Sequence, residues 1–245
     1  MNDATIQTTD QQVRVDLAAA HRLAVMDDLH EGTWNHFSVM SPSQPELMII
    51  TPGDTHWSQI RASELTVMGP QAEIVSGREP NPAAWIIHYP VHRARPDAQC
   101  LMHIHAPYST ALCMRKDWKL DTRCCQAAAF FHGRVAYFDE YDGDLRDASE
   151  GERMAAALGD KSVLLMRNHG ALVAAPTIGR AYMDLYLLER ACKFQMLAAG
   201  DGHELGQIPE RIATKMGNWA RDVGREGHFA GMKRVLDARE PDYAH

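Results

Sequence analysis

Apolar and polar positions along this chain repeat with a period that switches between helical and extended. Val13, Leu17, Ala20 and Ala24 recur at the spacing of one helix face and predict a first helix that ends near His30-Glu31-Gly32. Residues 47–51 form a short apolar run closed by Pro52-Gly53, the pattern of a strand and a turn. Residues 85–93 then lead to Arg95-Pro96-Asp97, where the proline should end a helix. Three more apolar runs, 100–105 bounded by Pro107, 135–138 and 162–166, predict strands. Residues 172–175 resume after a break at Asn168-His169-Gly170. Ile178, Ala181, Tyr182, Leu185, Leu188, Cys192 and Gln195 mark one face of a long helix closed by Gly200-Asp201-Gly202. Residues 208–239 read as further helix, charged and amphipathic. Strands alternating with helices indicate an α/β domain.

Composition narrows the class. At 245 residues, with 45% hydrophobic and 23% charged side chains, the chain suits one large domain, and no repeat or linker divides it. The net charge of −7 disfavours a nucleic acid or an anionic membrane surface as partner. A small anionic substrate needs only a local cation and stays open. The cysteines (Cys100, Cys113, Cys124, Cys125, Cys192) are odd in number and form no CxxC pair, which indicates reduced thiols in a cytoplasmic protein. Residues 1–12 are polar, are expected to be flexible, and hold no apolar signal segment. No apolar run approaches the roughly 20 residues that span a bilayer.

The histidines carry the candidate chemistry. His103 and His105 stand two apart, so in a strand both imidazoles project to one side while Met102 and Ile104 point into the core. Such a pair is either a chelate for a divalent ion or two hydrogen-bonded core histidines. His169 follows a buried run and precedes Gly170, at a strand end where sites accumulate in α/β proteins, although Asn168-His169-Gly170 also reads as a plain turn. A third imidazole would complete a three-histidine site with an open coordination position, the catalytic pattern.

The landmarks Gly32-Thr33-Trp34-Asn35-His36-Phe37-Ser38, Ile50-Thr51-Pro52, His88, Arg95-Pro96-Asp97-Ala98, His103-Ile104-His105 and Asn168-His169-Gly170 resemble those of the class II aldolase/adducin-head family from about residue 13 to about residue 200. The resemblance implies a three-layer α/β/α sandwich around a mainly antiparallel sheet, as one domain over 13–200, with 201–245 a helical extension packed on it or on a neighbouring subunit. It implies one divalent ion per subunit held by His103, His105 and His169, zinc first, with manganese, cobalt or iron as alternatives. It also implies a homotetramer with active sites near subunit interfaces and a small-molecule substrate. In such enzymes the metal is a Lewis acid that stabilises the negative charge left when a C–C bond breaks.

The departures matter as much as the matches. Phosphate-sugar aldolases of the family carry Ser-Ser-Glu before the Trp-x-x-His segment, and those places hold Pro82, Ala83 and Ala84. The Gly-Asn-Val-Ser phosphate loop becomes Asn35-His36-Phe37-Ser38, closer to the adducin-like branch. Aldol cleavage needs a base for the substrate hydroxyl, whereas a carboxylate already carries the charge that leaves with CO₂. Losing the glutamate while keeping the three ligands therefore favours a decarboxylase of a hydroxylated aromatic or ring-cleaved dicarboxylate, reactions known in this branch. The alternatives are an aldolase for an unphosphorylated hydroxy-oxo acid and a non-catalytic interaction protein like the adducin head, with iron-dependent oxygenation further off. His36 and His88 are the candidate acid/base or orienting residues. Arg93 and Arg167 are candidate carboxylate clamps, and Asn35, Ser38, His132 and Tyr137 candidate substrate contacts. Arg95 is a third candidate clamp but reads better as structural, capping a helix end or pairing with Asp97.

Overall fold

The computed structural model describes residues 9–140, 149–200, 202, 204–223 and 226–245. Eight strands form one sheet: β1 His36–Met40, β2 Met48–Ile50, β3 Thr66–Met68, β4 Ile74–Ser76, β5 Cys100–Ile104, β6 Val135–Phe138, β7 Val163–Met166 and β8 Gly170–Ala175. Their order is β4-β3-β2-β1-β5-β8-β7-β6, antiparallel throughout except for the β6/β7 pair. The helices are α1 Asp10–Met26, α2 Pro82–Ala94, α3 Pro107–Cys113, α4 Gln126–Ala129, α5 Ser149–Leu158, α6 Ile178–Ala198, α7 Glu210–Asp222 and α8 Gly227–Arg239.

Strand alternation divides the core into two layers. Phe37, Val39, Cys100, Met102, Ile104, Val163, Leu165 and Val173 pack with α1, α3, α6 and α8 on one face. Leu101, Leu164, Met166, Leu172 and Ala174 pack with α2 and α5 on the other. The fold is the three-layer α/β/α sandwich with a mainly antiparallel sheet that the motifs imply. In the C-terminal stretch α7 lies against α4, and α8 lies against α1 and α6.

Several boundaries shift from the pattern reading. Helix α1 stops at Met26 because Asp28 turns left-handed at φ 57° and Leu29 N–H folds back onto Ala24 O at 2.8 Å. The segment His30-Glu31-Gly32 therefore lies in a loop, not at a helix end. Residues 1–8 of the stretch expected to be flexible lie outside the described residues, and from Asp10 the chain is helix. Residues 208–239 hold two helices; residues 224 and 225, and Asp201 of the expected Gly200-Asp201-Gly202 closure, lie outside the described residues. Strand β1 escaped the pattern reading although His36, Ser38 and Met40 alternate with Phe37 and Val39.

Candidate metal centre

Three segments bring imidazoles to one end of the sheet. His103 sits near the end of β5, on the face turned to α2, and His105 follows just past the strand. Antiparallel register places His36 of β1 opposite His103. On the other side β8 pairs Ala171 with Ile104, which draws the β7–β8 turn against the end of β5. That turn is set by its sequence. Asn168 takes the left-handed φ of 55° that asparagine tolerates better than most residues. A Cβ on Gly170 would stand 2.3 Å from Ile104 O and 2.9 Å from His105 Cδ2, so only glycine lets the turn close this far. Between them His169 is held over the other two.

The ligand atoms of His103, His105 and His169 all lie within 4.8 Å of one another, the one such group of three among the described residues. Ring centroids are 4.8–4.9 Å apart. His103 Nδ1–H donates to Ala171 O at 3.1 Å, and His105 Nδ1–H donates to the Glu31 carboxylate at 2.6 Å. These bonds assign both protons to Nδ1, so both Nε2 atoms present lone pairs, and those atoms are 3.0 Å apart. Two lone pairs at that distance repel unless a cation lies between them. The donor set therefore fits a divalent metal, with the outer hydrogen bonds that metal-binding histidines normally make. Burial, followed by the neighbouring imidazoles, pushes His103 well below the ordinary histidine value, and burial beside His105 pushes His169 down to about 4. Both therefore stay neutral, the form that binds metal.

Behind the triad lies a run of buried polar groups. The His36 ring is 4.9 Å from His103. His36 Nδ1 is 2.8 Å from His88 Nε2, His88 Nδ1 is 2.6 Å from Ser38 Oγ, and Ser38 Oγ is 2.8 Å from His92 Nε2. His92 Nδ1 lies 2.8 Å from Ala98 O. Burial pushes His36 down to about 3, with His105 and His169 adding to it, and His92 down to about 4 against the opposing hydrogen bond to Ala98 O. His88 is driven well below its usual range by burial and then by its neighbours His36 and His92.

Asn35 is buried beside this group. Its Oδ1 accepts from Glu31 N–H at 2.8 Å, while its Nδ2 is enclosed without a partner among the described residues. A cleft of about 400 Å³ opens alongside, lined by Thr33, Trp34, Gly53, Asp54, Glu79 and Asn81 among others, and no Lys or Arg of the described residues lines it. Trp34, one of its lining residues, is 68% exposed.

The other expected residues are not gathered here within one chain. Ser38 is enclosed between His88 and His92, away from any open wall. Arg93 is exposed on the last turn of α2. Arg167, next to Asn168, pairs with Asp139 at 3.2 Å and lies over the Trp118 ring. His132 is tied to Thr122 and Glu210, each at 2.8 Å. Tyr137 stands on the edge strand β6 against Trp118. Arg95 binds Asp97 and the carbonyls of Gly159 and Lys161, a structural role. Pattern reading missed Glu31 and His92. For His92 a signal existed: His88 and His92 stand one helical turn apart on one face of α2.

Residues 15–196 match the family model described as Class II Aldolase and Adducin N-terminal domain. An adducin-related protein of Schizosaccharomyces pombe is 33% identical over 96% of this chain and 78% of its own length. The decarboxylase NovR of Streptomyces niveus is 32% identical over 94% of this chain and 90% of its own. The crystal structure of an aldolase II superfamily protein from Pseudomonas syringae superposes with a TM-score of 0.88 at 33% identity, covering 99% of this chain and 98% of that one.

Proposed function

Because the chain belongs to the class II aldolase and adducin N-terminal domain family, we propose that it is a metal-dependent carbon–carbon lyase that decarboxylates a small unphosphorylated hydroxylated aromatic or ring-cleaved dicarboxylate. His103, His105 and His169 would hold one divalent ion, zinc first, with manganese, cobalt or iron as alternatives. When bound, the ion supplies Lewis-acid stabilisation of the charge left on oxygen as the C–C bond breaks.

The observation that carries the choice of reaction is Ala84. It is fully enclosed among Met48, Ile50 and Met68, one helical turn before His88, at the place where the family's phosphate-sugar aldolases have their acid/base glutamate. A carboxylate substrate needs no base there: the C–C bond breaks to release CO₂, the electron pair stays as an enolate or dienolate, and a proton from water, which leaves hydroxide, completes the new C–H bond. Asn35 Nδ2 has no partner among the described residues and is enclosed, so it would donate to a substrate carboxylate or hydroxyl once the loop that covers it moves. The cleft beside Thr33 and Trp34, which none of the triad histidines lines, has Asp54 and Glu79 on its wall and no Lys or Arg among the described residues, which suits a ligand without phosphate. The resemblance to the decarboxylase NovR agrees.

The assembly we propose is a homotetramer with active sites near subunit interfaces, in which Arg93, Arg167, His132 or Tyr137 of a neighbouring subunit reach the substrate. Residues 201–245 would form a helical extension of the main domain, and the protein would work in the cytoplasm. No helix among the described residues is long and apolar enough to cross a membrane. A second reading, aldol cleavage of an unphosphorylated hydroxy-oxo acid with His36 as base, is favoured by the position of His36 against His103. The third reading, a non-catalytic adducin-like interaction protein, is disfavoured because a binding scaffold has no physical need for three convergent imidazoles.

The test is metal analysis of the purified protein, then a screen for CO₂ and aldehyde release from hydroxylated aromatic and dienoic dicarboxylates. One metal per chain, lost in His103→Ala/His105→Ala, and metal-dependent CO₂ release are expected. Aldehyde without CO₂ would transfer the argument to the second reading, and full metal retention in the double variant would refute the site.

A further inference from the structure

The buried run behind the triad has a direction, and the backbone fixes it. At one end Ala98 O can only accept, so His92 Nδ1 carries a proton and donates along the 2.8 Å contact. In the neutral ring His92 Nε2 then holds a lone pair and accepts from the Ser38 hydroxyl at 2.8 Å. With its one proton spent, Ser38 Oγ accepts from His88 Nδ1–H at 2.6 Å. His88 Nε2 is left as acceptor and takes the proton of His36 Nδ1 at 2.8 Å. Each link determines the next. His36 Nε2, at the end beside His103, is left with a lone pair.

We propose that Ser38 and His92 are positioning residues, which lock His88 and His36 into a single neutral tautomer so that His36 presents an acceptor to the metal centre. The alternative polarity, with His36 Nε2–H donating into the site, needs one extra proton in the run. All four side chains are at most 4% exposed, and every partner of the run named above is neutral, so nothing there compensates that charge. The Nδ1–H form is the less favoured tautomer of a free histidine side chain, so a run of three such rings is a sharp signature rather than a default. The consequence for the ligand rests on the lyase reading: the substrate edge that meets His36 must itself donate, which selects a hydroxyl-bearing compound over its ether or deoxy counterpart.

The experiment needs no substrate, so its outcome is separate from that of the lyase reading. Long-range ¹H–¹⁵N spectra of zinc-loaded, ¹⁵N-labelled protein report which ring nitrogen of each histidine holds the proton. His36, His88 and His92 are expected as Nδ1–H. In Ser38→Ala, with zinc content unchanged, His88 and His36 are expected to lose the single form and show mixed tautomers, while Ser38→Thr, which keeps the hydroxyl, restores it. An Nε2–H proton on His36 in the unmodified protein overturns the proposal outright, whether or not any variant folds. A His36 tautomer unmoved in Ser38→Ala overturns the role of Ser38 and His92.

Discussion

Replacing Glu31 by alanine removes a side-chain partner of His105, one of the three proposed metal ligands. The Glu31 carboxylate holds His105 Nδ1–H at 2.6 Å, a charge-assisted bond, while the partner of His103 is a backbone carbonyl and cannot be deleted. Loss of such a partner typically weakens metal binding by about 10–100-fold. The Glu31 side chain is 58% exposed, so water screens the carboxylate and replaces part of the bond. That places the expected loss near the lower end, about tenfold in Kd or about 1.4 kcal/mol. Glu31→Gln should cost less, about threefold, because the amide oxygen still accepts from Nδ1–H and preserves the ring orientation while the charge is lost. The assay is zinc competition against a chromophoric chelator at pH 7.5, with the His103→Ala/His105→Ala variant as the null. An unchanged Kd in Glu31→Ala, or equal losses in the two variants, would refute the argument that this bond fixes the tautomer of His105.

Three further outcomes are expected. Burial lowers His21 to about 3 and His92 to about 4, below the ordinary histidine value near 6.5, so the unfolded chain binds more protons than the folded one between those limits. Stability should be flat above about pH 6.5 and fall as acid is added, by about 1.4 kcal/mol per pH unit for each such group; a Tm that rises on going from pH 7 to pH 5 would contradict this. Gly170→Ala forces a Cβ onto Ile104 O, so urea denaturation should show a loss of about 1–3 kcal/mol together with weaker zinc binding, and an unaltered midpoint would show that the turn has slack. Ala84→Glu puts an anion into an enclosed apolar position beside the site, and kcat/KM should fall at least about tenfold; a gain of aldehyde-releasing turnover would instead support the aldolase reading.

Much of the architecture was legible because its signals are local. The β5 and β7 runs are apolar and bounded, and α6 shows an unbroken helical stripe. The triad was legible because two of its histidines stand two apart at the end of one strand, and the third sits in a turn whose asparagine and glycine have backbone reasons to be there. What escaped were features created by packing between distant segments. Strands β3 and β4 have three residues each, too few to show a period. Ser38 reads as a substrate contact in sequence, and only the packing of α2 over β1 reveals it between two histidines. Glu31 looked like part of a helix end because nothing in a linear pattern announces a contact with His105, 74 positions away.

The loop from Asp27 to Asn35 has one more consequence. Glu31 holds His105, a proposed metal ligand, through its side chain, and its backbone N–H donates to Asn35 Oδ1, while Asn35 Nδ2 is enclosed without a partner among the described residues. Under the proposed function, an ion that draws His105 into place and a substrate that draws Asn35 into place would order the same short stretch of chain. Whichever arrives first spends the ordering entropy of that stretch, and the second is spared it. Thermodynamic reciprocity would then require, under the proposed function, the two affinities to rise by the same factor.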